Sequence, residues 1–375
     1  MEKRVEVVIV GGGVIGAATA YHLRRAGVQV LLIEKRRIAA GASGASAGGV
    51  RQQNRHPAEL PLAMQSIPLW ERMERELGYS IEYRQGGNLY LVEQEEYLPE
   101  LRAEVERQQQ AGLGIEVVQG AELRELVPLI APSVLGAGYC PTDGYANPIL
   151  TTQALALAAQ KLGAELLLDT AVTALLVEGN RLQGVRTTRG TVYCSTVLVA
   201  AGAWSRPLLQ GIGVEIPVKP YGLQMMCTEP VPPFLTPVIG CRGRNLSIKQ
   251  MPQGQVVIGG GWPGTPDMAR DRGWPLHTSI RGSARDVTAI FPHLRSRLLV
   301  RVWIGLEAMC LDGLPILGGV PGLDGLLIAT GFSGHGFALA PYVGRLMTEL
   351  ITTGKTSLPL DALSLERFSG VDSET

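Results

Sequence analysis

An excess of charge of either sign is missing from this chain. Its 375 residues carry 34 Lys and Arg against 34 Asp and Glu, a formal net charge of zero. No basic excess exists to steer it toward nucleic acid. Aromatics are scarce, at 5%, which also argues against a base-stacking surface. Cysteine is scarce too. Cys140, Cys194, Cys227, Cys241 and Cys310 are odd in number and none stand as C-x-x-C. A disulfide framework or zinc site is not expected, and a reducing compartment fits better. The histidines His22, His56, His277, His293 and His335 lack metal-ligand spacing. No apolar run reaches the ~18 residues of a membrane-spanning helix.

Glycine, by contrast, is abundant: 47 of 375 residues, with no Gly-X-Y period. At 46% hydrophobic and 18% charged, the chain can bury a large core. Its length is that of two or three domains.

The first forty residues hold the densest signal. Lys3 and Arg4 ahead of an apolar run resemble a signal peptide, but Glu6 and Gly11-Gly12-Gly13 interrupt it. The stretch fits a nucleotide-binding unit better. Val5 to Val10 is a β-branched run, expected as a buried parallel strand. Gly11, Gly13 and Gly16 give G-x-G-x-x-G, a helix from Ala17 to Arg25 follows, and Val28 to Ile33 forms a second strand ending at Glu34. Each piece has a reason. Gly11 permits a tight turn, Gly13 lets backbone approach a pyrophosphate, and Gly16 lets helix and strand pack closely. The helix start offers free N–H groups and a positive dipole end. Glu34 can accept from ribose hydroxyls. An early fingerprint followed at once by the side-chain-poor stretch Ala39 to Gly49 favours FAD over NAD, since such a segment can lie along an extended cofactor. Arg51 follows it and could meet a phosphate, a flavin edge or a substrate carboxylate.

Further along, helices are expected over Pro57–Gly78, Tyr97–Gly112 and Ile149–Leu162, and a hairpin over Ile81–Val92 turning at Gln85-Gly86-Gly87-Asn88. Asp143 to Pro148 reads as a turn, and Glu165–Leu168, Ala171–Glu178 and Val192–Ala200 as strands. Ala201-Gly202-Ala203-Trp204-Ser205 is a small-residue turn of the kind that sits over a nucleotide. From Pro217 to Trp262 strands alternate with Pro/Gly turns, the pattern of an antiparallel sheet: Tyr221–Thr228, Leu246–Gln250 and Gln255–Gly259, with Arg301–Glu307 joining them. Leu323–Thr330 returns to the parallel type and leads through Gly331-Phe332-Ser333-Gly334-His335-Gly336 into a helix. The expected fold class is α/β, a Rossmann-type FAD-binding domain interleaved with an antiparallel-sheet substrate domain. Residues 1–80, 145–215 and 310–375 are assigned to the former, 81–144 and 216–309 to the latter.

Four stations carry a resemblance: GGGVIG with Glu34, the segment 42–51, LVAAGAWS at 198–205, and GLLIATGFSGHGFALAP at 325–341. Together they resemble the D-amino acid oxidase-like family of FAD-dependent oxidoreductases, which holds glycine oxidase, sarcosine oxidase, D-amino acid dehydrogenase and the flavin subunits of proline and opine dehydrogenases. The resemblance implies a non-covalent FAD, because the covalent cysteine of monomeric sarcosine oxidases has no counterpart in register. It places Gly11, Gly13, Val14, Ile15 and Gly16 at the pyrophosphate, Glu34 and Lys35 at the adenosine end, and Ala42 and Ser43 on the phosphate side. Gly48 and Gly49 would lie near the isoalloxazine, Val172 at the adenine, and Gly202 and Trp204 along the channel. The backbone of Gly334, His335, Gly336 and Phe337 would meet flavin N1 and O2, where the helix start also favours the charge that reduction brings.

The implied reaction is oxidation of a small amino or imino acid, of D-amino acid, glycine, sarcosine or proline type. Hydride passes from Cα to flavin N5, and the imine hydrolyses to a keto acid. A dye-linked dehydrogenase is expected; an oxygen-using oxidase and the flavin-carrying subunit of a heteromeric dehydrogenase stay open, as do homo- or heteromeric assembly and a dye, quinone or partner subunit as acceptor. A cytoplasmic location is the default, with peripheral membrane contact through the acceptor left open. Relatives that bind a glycine-type carboxylate often carry Arg after Trp-x-Gly-Leu; here Trp303-Ile304-Gly305-Leu306 precedes Glu307. Candidates for substrate work are therefore Arg51, Tyr221, Lys249, Glu307 and His335, with Arg242 and Arg244. Surface charge or simple packing stands beside each as the plain alternative. Lys249 is also a candidate for oxygen activation.

Overall fold

The computed structural model describes residues 2–369. Its first sheet has a parallel centre. Val7–Val10 is buried along its whole length, flanked in parallel register by Val30–Ile33 and Thr196–Val199. Glu165–Leu167 joins outside the former and Leu323–Thr330 outside the latter, both parallel. β-Branched runs covered on both faces suit this arrangement. One face is covered by Val14–Arg25, which packs against Pro148–Lys161 and Gly336–Thr353. Gly344 makes that approach close: a Cβ there would lie 2.7 Å from Ala18 Cβ. Leu60–Leu77 adds an outer layer, with the fully buried Trp70 donating from Nε1 to the Ala338 carbonyl at 2.9 Å. The other face is covered by a meander of Val172–Glu178, Arg181–Thr187 and Gly190–Tyr193.

The second sheet runs Arg272–Pro275, Pro263–Asp267, Val218–Pro230, Gln255–Gly259, Ser247–Gln250, Val238–Cys241, Asn88–Val92, Gly136–Cys140 and Glu116–Gln119. Only the Val238–Cys241/Asn88–Val92 pair is parallel. Leu299–Cys310 pairs with Val218–Pro230 along nearly its full length, from Val218↔Cys310 to Thr228↔Leu299. The two sheets therefore take alternating pieces of the chain. Among the described residues no helix is long and apolar enough to cross a membrane.

Three local expectations need correction. Ile81–Val92 is not a hairpin: only Asn88–Val92 is a strand. The segment before it bonds to 143–147 instead, through Arg84 and Tyr145 in both directions, Gly87 N–H to the Asp143 carbonyl, and Asn147 N–H to the Ile81 carbonyl. Residues 143–148 are likewise more than a turn, since Gly144–Tyr145 forms a short antiparallel pair with Gly49–Val50. Val192–Ala200 is two strands, not one. Gly190–Tyr193 folds back on Arg181–Thr187, and the chain enters the parallel sheet only at Thr196.

The Ala18 contact makes a testable point. Gly344→Ala adds a methyl group where no room exists, and overpacking of this kind costs about 1–3 kcal/mol. The chemical denaturation midpoint is expected to fall; a wild-type midpoint would show that the two helices part freely.

Candidate cofactor and active site

The end of the Val7–Val10 strand sets the geometry. Gly11 has φ +114°, and a Cβ there would lie 2.4 Å from the Ala200 carbonyl oxygen. A Cβ on Gly16 would lie 2.1 Å from the Gly11 oxygen. Only glycine lets these backbones meet. The helix that starts at Val14 has no side-chain cap and no acid in its first turn, so its positive end is left for an anion. The Val14 N–H rests on Ser43 Oγ at 2.9 Å. The Glu34 carboxylate accepts from the backbone N–H of Gly12 at 2.7 Å and of Arg36 at 2.9 Å. Ser43 lies in a four-residue helix, Ala42–Ala45, inside the side-chain-poor stretch.

A cavity of about 420 Å³ starts at this turn. Gly11, Gly13, Val14, Ile15, Glu34 and Lys35 line its first part, with Ala42, Ser43 and Val172. Gly202 and Trp204 also line it, Trp204 beside Lys35, and Glu307, Gly334, Gly336 and Phe337 line its far end, where the helix Gly336–Thr353 begins. Gly16 shapes the floor from behind rather than lining it. Trp204 Nε1 is buried and has no protein partner. An elongated cavity with a glycine cradle, an open helix start, an acid at the end of the second strand and an unspent buried donor fits a dinucleotide.

The remaining candidates separate. Gly48 (φ +72°) and Gly49 lie outside the lining residues; a Cβ on Gly48 would meet Lys249 Nζ at 3.0 Å. Lys249 is buried at 3% exposure, 3.3 Å from the Ala146 carbonyl and 4.5 Å from the centre of the Tyr145 ring. Burial lowers its ammonium to about 7, against a weak pull from Glu82. His335 turns its ring away from the lining, with Nδ1 2.9 and 3.2 Å from the carboxylate oxygens of the fully buried Glu59. Burial, helped by the Arg55 charge, lowers it to about 4, so the ring is neutral at physiological pH. Arg51 donates to the carbonyls of Gln53 and Asn54. Tyr221 is 37% exposed and stands opposite Glu307 in the strand pair, outside the cavity. Arg242 pairs with Glu100, and Arg244 with Glu93 and Asp286. Glu307 faces the cavity, and burial raises its carboxyl to about 7 while the Gly334 N–H holds it down.

Sequence reasoning passed over Arg55, Glu59 and Asp143. Arg55 is buried and donates from Nε to the Arg51 carbonyl, with Nη1 unpartnered. Asp143 is buried and accepts from the backbone N–H groups of Gln52 and Gln53 and from the Gln52 side chain. The one available signal was spacing, with Arg51, Arg55 and Glu59 four apart.

Comparison with known proteins decides the family. Residues 6–350 match the family DAO, FAD dependent oxidoreductase. This chain belongs to that family. The DAO-family chain is an oxidoreductase, and FAD is its cofactor. It is 31% identical to glycine oxidase of Geobacillus kaustophilus over 99% of both chains. It is 27% identical to sarcosine oxidase subunit beta of Rhodobacter capsulatus, over 98% of this chain and 89% of that one. The structure of L-proline dehydrogenase from P. horikoshii superposes with a TM-score of 0.93 at 33% identity, covering 98% and 99% of the two chains.

Two outcomes follow for this DAO-family site. Gly11→Ala is expected to purify with far less FAD than wild type, read as the 450 to 280 nm absorbance ratio; a normal ratio would show the cradle is not needed. Glu307 has a raised folded pKa, so the native state keeps a proton that the unfolded chain releases. Its contribution to stability is present below about 4.5 and lost as pH rises to about 7. Denaturation midpoints of wild type and Glu307→Gln should therefore diverge across that window, and parallel curves would remove the assignment.

Proposed function

We propose that this enzyme oxidises a small amino or imino acid of glycine, sarcosine or proline type, as a dehydrogenase that passes electrons to an acceptor other than oxygen. The observation that carries this reading is the far end of the cavity, where Glu307 meets the start of the Gly336–Thr353 helix. Bound FAD would supply the two-electron oxidising chemistry at the carbon that bears the amine. The protein holds it non-covalently through the glycine turn, the Val14 helix start and Glu34. The N-terminal N–H groups of the Gly336–Thr353 helix favour negative charge at the reacting end. With a pKa near 7, the Glu307 carboxyl can accept a hydrogen bond or proton from the substrate amine, which must be neutral to react.

A substrate carboxylate needs cations. Arg242 and Arg244 are already paired with acids. Arg55 donates to the Arg51 carbonyl and feels the Arg51 charge, and burial with that repulsion lowers Arg55 to about 9. Their acids are Glu59, engaged with His335, and Asp143, engaged with amides. We place the carboxylate at this pair. The similarity to a proline dehydrogenase and to a sarcosine oxidase subunit supports secondary amines as donors.

A second reading has its own observation. Leu298, Leu299 and Val300 are 67%, 40% and 58% exposed at one end of the long strand Leu299–Cys310. A run of exposed apolar residues marks an interaction surface, and a flavin-carrying subunit of a heteromeric dehydrogenase would use one.

The test is reduction of a dye by glycine, sarcosine, L- and D-proline and other amino acids, with and without oxygen. Turnover of a secondary or small amino acid with dye and little with oxygen is expected. Arg51→Ala and Arg55→Ala should raise KM about 10- to 100-fold, consistent with losing a charge-assisted contact of roughly 1.5–3 kcal/mol. Yellow protein unbleached by every amine would end the reading, and unchanged KM values would move the carboxylate elsewhere.

A further inference from the structure

The Glu34 end of the cavity is touched by an element of the other sheet. Lys35 lines the cavity beside Glu34. Its ammonium lies 3.6 Å from the centre of the Trp204 ring, which lines the same cavity. The same ammonium donates to the Asp271 carboxylate. Asp271 belongs to a ribbon of the second sheet, Pro263–Asp267 and Arg272–Pro275.

That ribbon reaches out from the edge of the second sheet. Pro263–Asp267 is fixed to Val218–Pro230 by only two residue pairs, Gly222↔Gly264 and Leu223↔Pro263. Its partner Arg272–Pro275 is the outermost strand of the sheet and is mostly exposed. Two glycines let the ribbon cross the long strand flat: a Cβ on Gly264 or Gly273 would lie 2.4 or 2.3 Å from the Ile304 side chain. The tip is pre-shaped. Asp267 accepts from the Arg270 N–H at 3.1 Å and pairs with its guanidinium at 3.0 Å. Asp271 sits at φ +54°, a conformation Asp tolerates better than most residues. Behind the tip the ribbon rests on Leu299–Cys310; at the tip, Asp271 ties it to Lys35 of the first sheet.

We propose that Lys35, Asp271 and Trp204 form a clasp across the Glu34 end of the cofactor cavity, so that the 263–275 ribbon must swing away before FAD leaves. The charge arithmetic supports closure rather than anion attraction. Asp271 neutralises Lys35, so the pair adds no net positive charge for the phosphates. Burial lowers the Lys35 pKa, and Asp271 is the main group that opposes that shift. Removal of the Asp271 charge weakens both contacts of the ammonium at once.

The experiment is release of FAD from the holoenzyme, followed as the rise in free-flavin fluorescence after dilution into a scavenger of free FAD. Asp271→Asn and Lys35→Gln are each expected to release FAD about five-fold faster, the size of a partly exposed ion pair. The double variant should match either single one, and high salt should speed release from wild type more than from the variants. If Asp271→Asn purifies without flavin, titration with FAD replaces the release measurement, and an affinity at least five-fold weaker supports the clasp. Release or affinity at the wild-type level in a yellow Asp271→Asn, or additive effects in the double variant, would overturn it. A wild-type chain that never takes up FAD would overturn the cavity reading as well, which is a distinguishable result.

Discussion

Everything in this molecule turns on how closely the Val14–Arg25 helix approaches the end of its own strand. Gly16 backs onto the Gly11 carbonyl, and Gly11 onto the Ala200 carbonyl, at separations that leave no space for a side chain. The first contact aims the helix start at the cavity. The second ties that start to Thr196–Val199, a strand nearly two hundred residues away in the chain. Outside them, Gly344 allows the C-terminal helix to lie on the back of the same helix. Since that C-terminal helix begins at the far end of the cavity, both positive helix ends are positioned by one small-residue contact. Close packing transmits such placement because interiors lack slack.

The charges of the site obey a second constraint, that a buried ion needs either a partner or a change of protonation. Glu307 and Lys249 have no close opposite charge, and both shift toward neutrality, each to about 7. His335 goes further and is neutral, which leaves Glu59 with a hydrogen bond instead of an ion pair. Asp143 is satisfied by amides from Gln52 and Gln53. The consequence is that Arg51 and Arg55 are not cancelled by direct salt bridges. Buried pairs normally spend their charge on each other; this arrangement withholds it, which is the physical ground for proposing a substrate carboxylate there.

What could be read from the sequence follows from distance along the chain. The glycine turn, the helix and Glu34 are local, each residue's role set by neighbours within one βαβ unit, so their pattern was legible. The parallel strands at Leu323–Thr330 and Val30–Ile33 were legible for a related reason, since burial on both faces writes itself as an unbroken apolar run. Partners chosen from far away were not. Arg84 pairs with Tyr145 and not with its own hairpin, and Gly190–Tyr193 leaves the apolar run 192–200 to pair with Arg181–Thr187. The helix His277–Ile290 and the ribbon ending in Asp271 carry no motif at all. Charged residues of the site were found by type but not by engagement: nothing in the letters says that Arg51 spends itself on backbone carbonyls while Arg55 keeps Nη1 unpartnered.

Interleaving gives the long strand Leu299–Cys310 an unusual position. It lies along Val218–Pro230 in the second sheet, yet Trp303 donates from Nε1 to the Ala45 carbonyl at 2.9 Å, inside the side-chain-poor segment that helps to line the cavity. Four residues on, Glu307 enters the cavity itself, and Ile304 between them supports the ribbon that carries Asp271. One strand thus touches the side-chain-poor segment, the Glu307 end of the cavity and the ribbon that reaches Lys35. Cavity residues come from 10–46, 170–173, 200–208 and 306–337, so no continuous fragment could hold the cofactor. Filling the cavity joins both sheets through this strand, and by linkage the bound state must be more resistant to unfolding than the empty one.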